Sequence, residues 1–449
     1  MKPSALLKSV FVFIFVFSAA FCAAAPAQWP TWRGPDMAGI SEGTPPLTWS
    51  ETENIQWKAA LEGDSSNSTP VVWDDKLFFQ IAVKTDQQPE GDAAVAEAPA
   101  APPAGGRGGR GVIPKNLYQF KVVCVDRNTG KTLWQTQVCQ VVPHEGHHGD
   151  HGFASFSPVT DGVSVWANFG SRGVYCLTLD GKIKWQKDLG KTRMAAGFGE
   201  GSSPLLVEDK LIVLMDQEDQ SCITALNKDS GQIAWKKDRD EKSSWTSPMA
   251  VKVEGKTQIV VNGYNRVRSY DPATGDVLWE CGGQTANPIP TPVTGLGMVF
   301  CASGFRGSKL AAITLGKTGD LTGTDAVVWE VNEATPYVPS PLLCGEKLYA
   351  LSGNKGVVSC YNAKTGKPYY TQQAMPEIQN IYASPLGAAG RVYFVGRNGV
   401  TYVLNNNTEA FEVLAVNRLD DNIDCSPVVI GDTLYLKGKK FLYCIAGKK

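Results

Sequence analysis

Histidine is scarce in this chain, long apolar runs are confined to its start, and neither sign of charge prevails. Four histidines stand among 449 residues, all between His144 and His151, and 43 Lys and Arg are set against 44 Asp and Glu. A net charge of −1 offers a nucleic acid no basic surface, so no nucleic-acid partner is expected. Beyond the first 27 residues no stretch approaches the length of a membrane-spanning helix, so no transmembrane segment is expected either. The chain also lacks a Gly-x-Ser-x-Gly elbow, a P-loop and a dinucleotide fingerprint in strand–helix context, which removes the common sequence grounds for three large classes of enzyme.

What the chain has in abundance is glycine, 46 residues, and tryptophan, 12, scattered among short apolar runs; this points to an all-β fold rich in turns. The first residues read differently. Lys2 and Lys8 precede an apolar run from Val10 to Phe17, and Ala25-Pro26-Ala27 places small residues at −3 and −1 before Gln28. This is the layout of a secretory signal peptide over residues 1–27, and it predicts an exported protein, periplasmic or extracellular. Cys22 follows Phe21, whose bulk argues against a lipid anchor there.

Three series repeat through the remainder, and a period in the forties governs the whole fold. A Ser-Pro or Thr-Pro step followed by apolar residues occurs at Thr69, Ser157, Ser203, Ser247, Thr291, Ser340, Ser384 and Ser426; from Pro158 onward successive prolines are 46, 44, 44, 49, 44 and 42 residues apart. Proline lacks an N–H and suits the first residue of a strand, so each step marks a strand start. The second series is an apolar run with a mostly small residue in the middle: Cys124, Cys176, Ala225, Ser269, Ala312, Cys360, Val403 and Cys444. The third is a turn and an aromatic: Asp126…Gly130…Trp134, Asn227…Gly231…Trp235, Asp271…Gly275…Trp279 and Asn362…Gly366…Tyr370. Asp180-Gly181…Trp185 shortens this turn, Trp329 follows a longer one, and Asn405 leads only to Val413. Asx with a following glycine supplies the backbone freedom of a hairpin, and the aromatic then falls on the next strand, where it fills the gap between neighbouring sheets.

Each unit thus reads as three strands, a turn and an aromatic strand, which is one blade of a propeller. The expected fold is an all-β, eight-bladed β-propeller of four-stranded antiparallel blades, a single domain over residues 28–449. The last unit stops after its third strand, and Asn54-Ile55-Gln56-Trp57-Lys58 supplies the missing strand from the other end of the chain, closing the ring. Residues 86–112, dominated by Ala, Pro, Gly and Glu before Gly-Arg-Gly-Gly-Arg, bury too little apolar surface to fold and read as a disordered insertion in the first blade. Cysteines at one repeat position in four blades cannot all pair across a channel, so they read as small core residues.

The Asp-x-x-x-Gly-x-x-x-Trp turn resembles the tryptophan-docking repeat of quinoprotein-like propellers, a family that includes pyrroloquinoline quinone (PQQ) dehydrogenases and the propeller lipoprotein of the outer-membrane barrel-assembly machinery. Trp29-Pro-Thr-Trp-Arg-Gly-Pro35, Gly199-Glu-Gly-Ser-Ser-Pro204 and Thr335-Pro-Tyr-Val-Pro-Ser-Pro341 further resemble a group of exported PQQ-like repeat proteins of unassigned activity. The resemblance implies the fold over essentially the whole mature chain. It implies PQQ with calcium for the dehydrogenase branch, whose members carry an adjacent cysteine pair beside the cofactor and long insertions that roof it. This chain departs from that pattern, having no two consecutive cysteines.

Two sets of loops reach one face of such a ring around the channel, and loops on a rigid ring are the usual place for binding residues. The loops between second and third strands supply Arg172, Arg266, Arg306 and Arg397; those before the proline steps supply Glu200, Asp240, Glu241 and Asp424, with Trp245, Asn287, Tyr337 and Tyr382. Together they predict a charge-alternating funnel that takes an anionic or sugar-like ligand by Arg–carboxylate pairing and aromatic stacking. A second candidate is Pro143-His144-Glu-Gly-His147-His148-Gly-Asp150-His151, a glycine-broken loop whose donors would suit zinc or copper if they converge. The leading expectation is a non-catalytic binding or scaffolding propeller without a cofactor, engaging an exported protein or polysaccharide partner. The alternatives are a PQQ- and calcium-dependent quinoprotein oxidising an alcohol or sugar, and a metal-dependent enzyme built on the histidine loop.

Overall fold

The computed structural model describes residues 28–63, 67–89, 111 and 113–447. The signal-peptide reading of residues 1–27 and most of the insertion read at 86–112 lie outside the described residues. A strand begins immediately after every proline of the Ser/Thr-Pro series: Val71–Trp73, Val159–Thr160, Leu205–Val207, Met249–Val253, Val293–Gly295, Leu342–Cys344, Leu386–Ala388 and Val428–Ile430. Each is the inner strand of one of eight sheets built on four antiparallel strands, numbered here as blades 1 to 8 in chain order. Among the described residues, helix is limited to the one-turn segments Gly170–Arg172 and Ala195–Gly197. The fold is an all-β, eight-bladed propeller. The outer strand of blade 8 is Ile55–Ala60, antiparallel to Phe441–Ile445 with Trp57 opposite Cys444.

Strand register explains the small residues of the second series. Cys124 lies opposite Trp134, Cys176 opposite Trp185, Ala225 opposite Trp235, Ser269 opposite Trp279, Ala312 opposite Trp329 and Cys360 opposite Tyr370. A small side chain leaves room for a ring across the strand pair. All ten cysteines among the described residues are free.

Five rings also make the joint to the following blade. The indole Nε1 atoms of Trp57, Trp134, Trp185, Trp235 and Trp329 donate to the turn carbonyls of Arg127, Leu179, Lys228, Pro272 and Ala363, at 2.8–3.1 Å. Each ring lies on the turn glycine of that next blade, so closely that a Cβ on Gly130, Gly181, Gly231, Gly275 or Gly366 would come within 2.6–2.7 Å of it. The glycine of the motif is therefore required twice, by its positive φ and by the indole above it.

Residues 28–50 form no blade of their own. Gln28–Trp29 pairs with the inner strand of blade 1. Pro30 O accepts from the Thr160 N–H of blade 2 at 3.1 Å, and Arg33 Nη2 donates to Pro341 O of blade 6 at 3.0 Å. Ile40–Ser41 runs parallel to Leu386–Ala388 of blade 7, and Thr44 N–H donates to Gly431 O of blade 8 at 2.9 Å. Blades 2 and 6 stand opposite in an eight-membered ring, so this segment crosses the channel. Trp29, Arg33 and Met37 are buried in this crossing, at 1–3% exposure, whereas Trp49 packs on blade 7, stacked on Tyr393, with its N–H donating to Asn417 of the outer strand.

Candidate functional site

The Ser or Thr before each proline has a job beyond starting a strand. The backbone N–H of every such residue donates to the side-chain hydroxyl of its counterpart in the next blade. The bonds run Thr69 to Ser157, Ser203, Ser247, Thr291, Ser340, Ser384 and Ser426, and Ser426 returns to Thr69 at 3.1 Å. Eight hydrogen bonds thus form a closed belt, and all eight residues line one cavity of about 1130 Å³. Replacing Ser247 by alanine leaves the buried Ser203 N–H without its acceptor and is expected to cost about 1–3 kcal/mol in urea unfolding. Ser247→Thr, which keeps the hydroxyl as Thr69 and Thr291 do, should lose far less. Equal losses would contradict a belt held by the hydroxyls.

The cavity wall is aromatic: Trp32, Phe198, Trp245, Tyr264, Phe305, Tyr337 and Tyr382 all contribute. Trp245 is fixed by Nε1 donating to Gly199 O at 2.6 Å. Phe305 and Tyr337 stack with centroids 5.2 Å apart, and the Arg306 guanidinium lies 5.3 Å from the Phe305 ring centroid. Of the funnel residues expected from sequence, Trp245, Asn287, Arg306, Tyr337, Tyr382 and Asp424 line the cavity.

The remaining six are engaged elsewhere. Arg172 and Glu200 form a buried ion pair, to which the hydroxyls of Ser171 and Thr192 also donate, beside the rings of Phe120 and Phe153. Asp240 and Glu241 both pair with Arg268, at 2.6 and 2.7 Å. Arg266 pairs with Asp320 at 2.9 Å and Glu280 at 3.2 Å. Arg397 holds Asp424 through two nitrogens, at 2.6 and 3.2 Å, and Asp150 through a third at 2.9 Å, with its guanidinium 4.3 Å from the Tyr382 ring centroid. The charges of these loops are largely satisfied within the protein. Arginines and carboxylates meet at partly buried positions, where an unpaired charge is costly.

The histidine loop is pinned residue by residue. His144 Nε2 lies 2.7 Å from Thr192 O, and burial lowers its pKa. His147 Nδ1 lies 2.8 Å from His148 O, with the ring edge-on to Phe153. His148 packs on Phe198 and accepts from the Asp150 N–H. Asp150 itself reaches across to blade 7, taking the Tyr382 hydroxyl at 3.0 Å and Arg397. His151 lines the cavity, and burial drives its pKa down to about 3. His147 and His151 flank Gly199, but no group of three or more His, Cys, Asp or Glu among the described residues is placed to hold a metal ion. As arranged, these donors do not fit zinc or copper.

The depressed pKa of His151 has a consequence for stability. An unfolded chain protonates this histidine near pH 6.5, whereas the folded chain resists until about pH 3. Within that window the unfolded state binds the extra proton, so stability falls as pH is lowered, by up to about 1.4 kcal/mol per pH unit from this residue. His151→Gln should flatten the decline of urea-unfolding free energy between pH 6 and pH 4; an unchanged slope would contradict a neutral buried imidazole.

The sequence profile of the family described as outer membrane protein assembly factor BamB matches residues 119–323 and 317–439, more than half of the chain. The chain belongs to that family. Its fold is similar to the crystal structure of BamB from Moraxella catarrhalis, at 15% identity over 82% of this chain and 99% of that one, with a TM-score of 0.52. It is also similar to quinohemoprotein alcohol dehydrogenase from Comamonas testosteroni, at 10% identity over 94% and 81%, with a TM-score of 0.61. A europium-containing methanol dehydrogenase matches at 11% identity over 94% and 98%, with a TM-score of 0.50. At such identities the likeness is one of fold, and function has to be argued from the site. No curated protein matches the chain in sequence. Among the described residues no helix is long and apolar enough to cross a membrane.

Because two of these structures are dehydrogenases, the cavity of this BamB-family chain bears comparison with what PQQ and calcium need. Its volume is ample for a planar quinone. The oxygen donors for a cation are not available in the same way: Asp150 and Asp424 both accept from Arg397, and Glu218 accepts from Ser243. The lining carboxylates are thus already engaged by protein donors.

Sequence reading did not find the hydroxyl belt, Trp32, Phe198, Tyr264 or Phe305. Trp32 stands in the Trp29–Pro35 motif, and Phe305 precedes Arg306, so both had a signal beside residues already singled out. Phe198 likewise stands just before the Gly199–Pro204 motif, and Tyr264 two residues before Arg266.

Proposed function

We propose that this chain is an exported binding propeller with no catalytic step of its own, which holds a polysaccharide partner in its funnel. One observation carries the reading: the cavity has aromatic walls and a ring of hydroxyls, while most charged side chains around it pair with one another. Aromatic faces take the C–H faces of sugar rings, and hydroxyls and an amide such as Asn287 match the hydroxyls at their edges. Export is supported by the signal-peptide layout of residues 1–27.

The test is a glycan array probed with the mature chain from Gln28. Trp245→Ala should weaken the best array ligand by at least about tenfold, the loss of one aromatic anchor, whereas Arg266→Gln, already paired with Asp320, should leave it nearly unchanged. Absence of any glycan binding, or equal binding by Trp245→Ala, would sink the proposal. A protein partner is the second reading, favoured by the description of the family as an assembly factor. Photocrosslinking from Tyr264 and Arg306 in cells separates the two, since a protein partner yields adducts of discrete mass.

A further inference from the structure

We infer that the funnel recognises the end of a linear polysaccharide and not its middle, an inference that rests on the glycan reading above. The argument is the closure of the channel. A propeller with an open channel lets a chain pass along its axis, but here the segment from Gln28 to Thr44 runs from blade 1 across to blades 6, 7 and 8. Arg33, 2% exposed, is fastened inside it, with Nη2 donating to Ala38 O at 3.1 Å and Pro341 O at 3.0 Å. Gly39 leaves space for that guanidinium, because a Cβ there would come within 2.7 Å of Nη2. Trp32, next in the chain, lines the cavity together with the hydroxyl belt. The funnel is therefore blind. Whatever enters its mouth must stop at Trp32 and the belt, so a long ligand has to present a terminus.

The lining favours a sugar terminus over a peptide terminus. Extended peptides are commonly held by pairing with open backbone groups at a sheet edge. In the belt each of the eight backbone N–H groups is already bonded to a hydroxyl of the next blade. What remains at that level is the hydroxyls themselves, each of which accepts one N–H and keeps its own proton to donate. Above them stand the faces of Trp245 and the Phe305–Tyr337 stack. Ring faces with surrounding hydroxyls suit the terminal residue of a glycan of either polarity, reducing or non-reducing.

The experiment uses the mature chain and a panel of linear polymers: dextran, pullulan, xylan, chitosan, alginate and polygalacturonate. Each is offered intact and after partial hydrolysis to short chains, beside cyclodextrins and a cyclic β-glucan, which have no ends. Affinity is read by calorimetry on a mass basis. If termini are recognised, hydrolysis of the preferred polymer raises binding by about tenfold or more per unit mass, following the number of ends, and the ring glucans do not bind. Reduction of the fragments with borohydride then tells which terminus is used. Equal binding per mass by polymer and fragments, or tight binding of a cyclic glucan, overturns the chain-end inference and leaves the glycan reading standing. Failure of every glycan, with binding of an unstructured peptide, overturns both.

Discussion

Replacing Arg239 by methionine is expected to cost about 3–5 kcal/mol of folding free energy, the largest single loss predicted for this chain. The Arg239 side chain is 1% exposed and its partner Asp216 is wholly buried. Two bonds join them, Nε to Oδ1 at 2.7 Å and Nη2 to Oδ2 at 3.2 Å, while Ser244 Oγ donates to Oδ2 at 2.8 Å and the Tyr270 hydroxyl takes the remaining arginine nitrogen. Asp216 holds the Arg239 proton more firmly than an exposed partner would, so the arginine pKa is raised despite its burial. Methionine fills similar volume but leaves a carboxylate in the interior with no cation. The double substitution Arg239→Met with Asp216→Leu removes the stranded charge and should recover most of the loss. Urea unfolding of the two variants decides the matter: equal loss in both would mean that packing, and not the uncompensated carboxylate, sets the cost.

Gly275→Ala is expected to destabilise the chain by about 2–4 kcal/mol, a positive-φ penalty compounded by overpacking. The position has φ +75°, and an added Cβ would stand 2.6 Å from Trp235 Cε3 and 2.8 Å from Cδ2. That indole is 8% exposed and is tied by Nε1 to Pro272 O at 2.9 Å, so it has little freedom to give way. Gly255, in the same blade, provides the comparison. Its φ is +80° but nothing lies within 4 Å of its missing Cβ, so Gly255→Ala should cost only the left-handed penalty of about 1 kcal/mol. If the two alanine variants unfold at the same urea concentration, the inter-blade docking of Trp235 contributes nothing and the repeat motif needs another explanation.

The fold was legible because its rules are local and repeated eight times. A proline that cannot donate stands before each inner strand, and in five blades a turn glycine stands four residues before an aromatic, Trp134, Trp185, Trp235, Trp279 or Tyr370. The reciprocal fit was not legible: that Gly275 receives Trp235 from the preceding blade, or that Ser203 donates to Ser247, depends on the ring being closed. The site was legible only in composition. Acids and bases were visible in the loops, but Arg172, Glu200, Arg266 and Glu241 found each other or close neighbours across the blades. Sequence spacing carries no information about which of two nearby carboxylates an arginine chooses. The histidine loop shows the same limit, since four imidazoles within eight residues are turned to four different neighbours.

Whether this propeller binds a glycan or works as a quinoprotein is tested most directly by the melting temperature of the mature chain. It is measured alone, with the preferred array glycan, and with PQQ plus calcium. A ligand at a hundred times its Kd stabilises the native state by about 2.7 kcal/mol, which appears as a shift of about a degree or more in a domain of this size. The account predicts a saturable rise with the glycan that Trp245→Ala removes, and no rise with PQQ and calcium at high micromolar concentration. A saturable, calcium-dependent rise with PQQ and none with any glycan would contradict it.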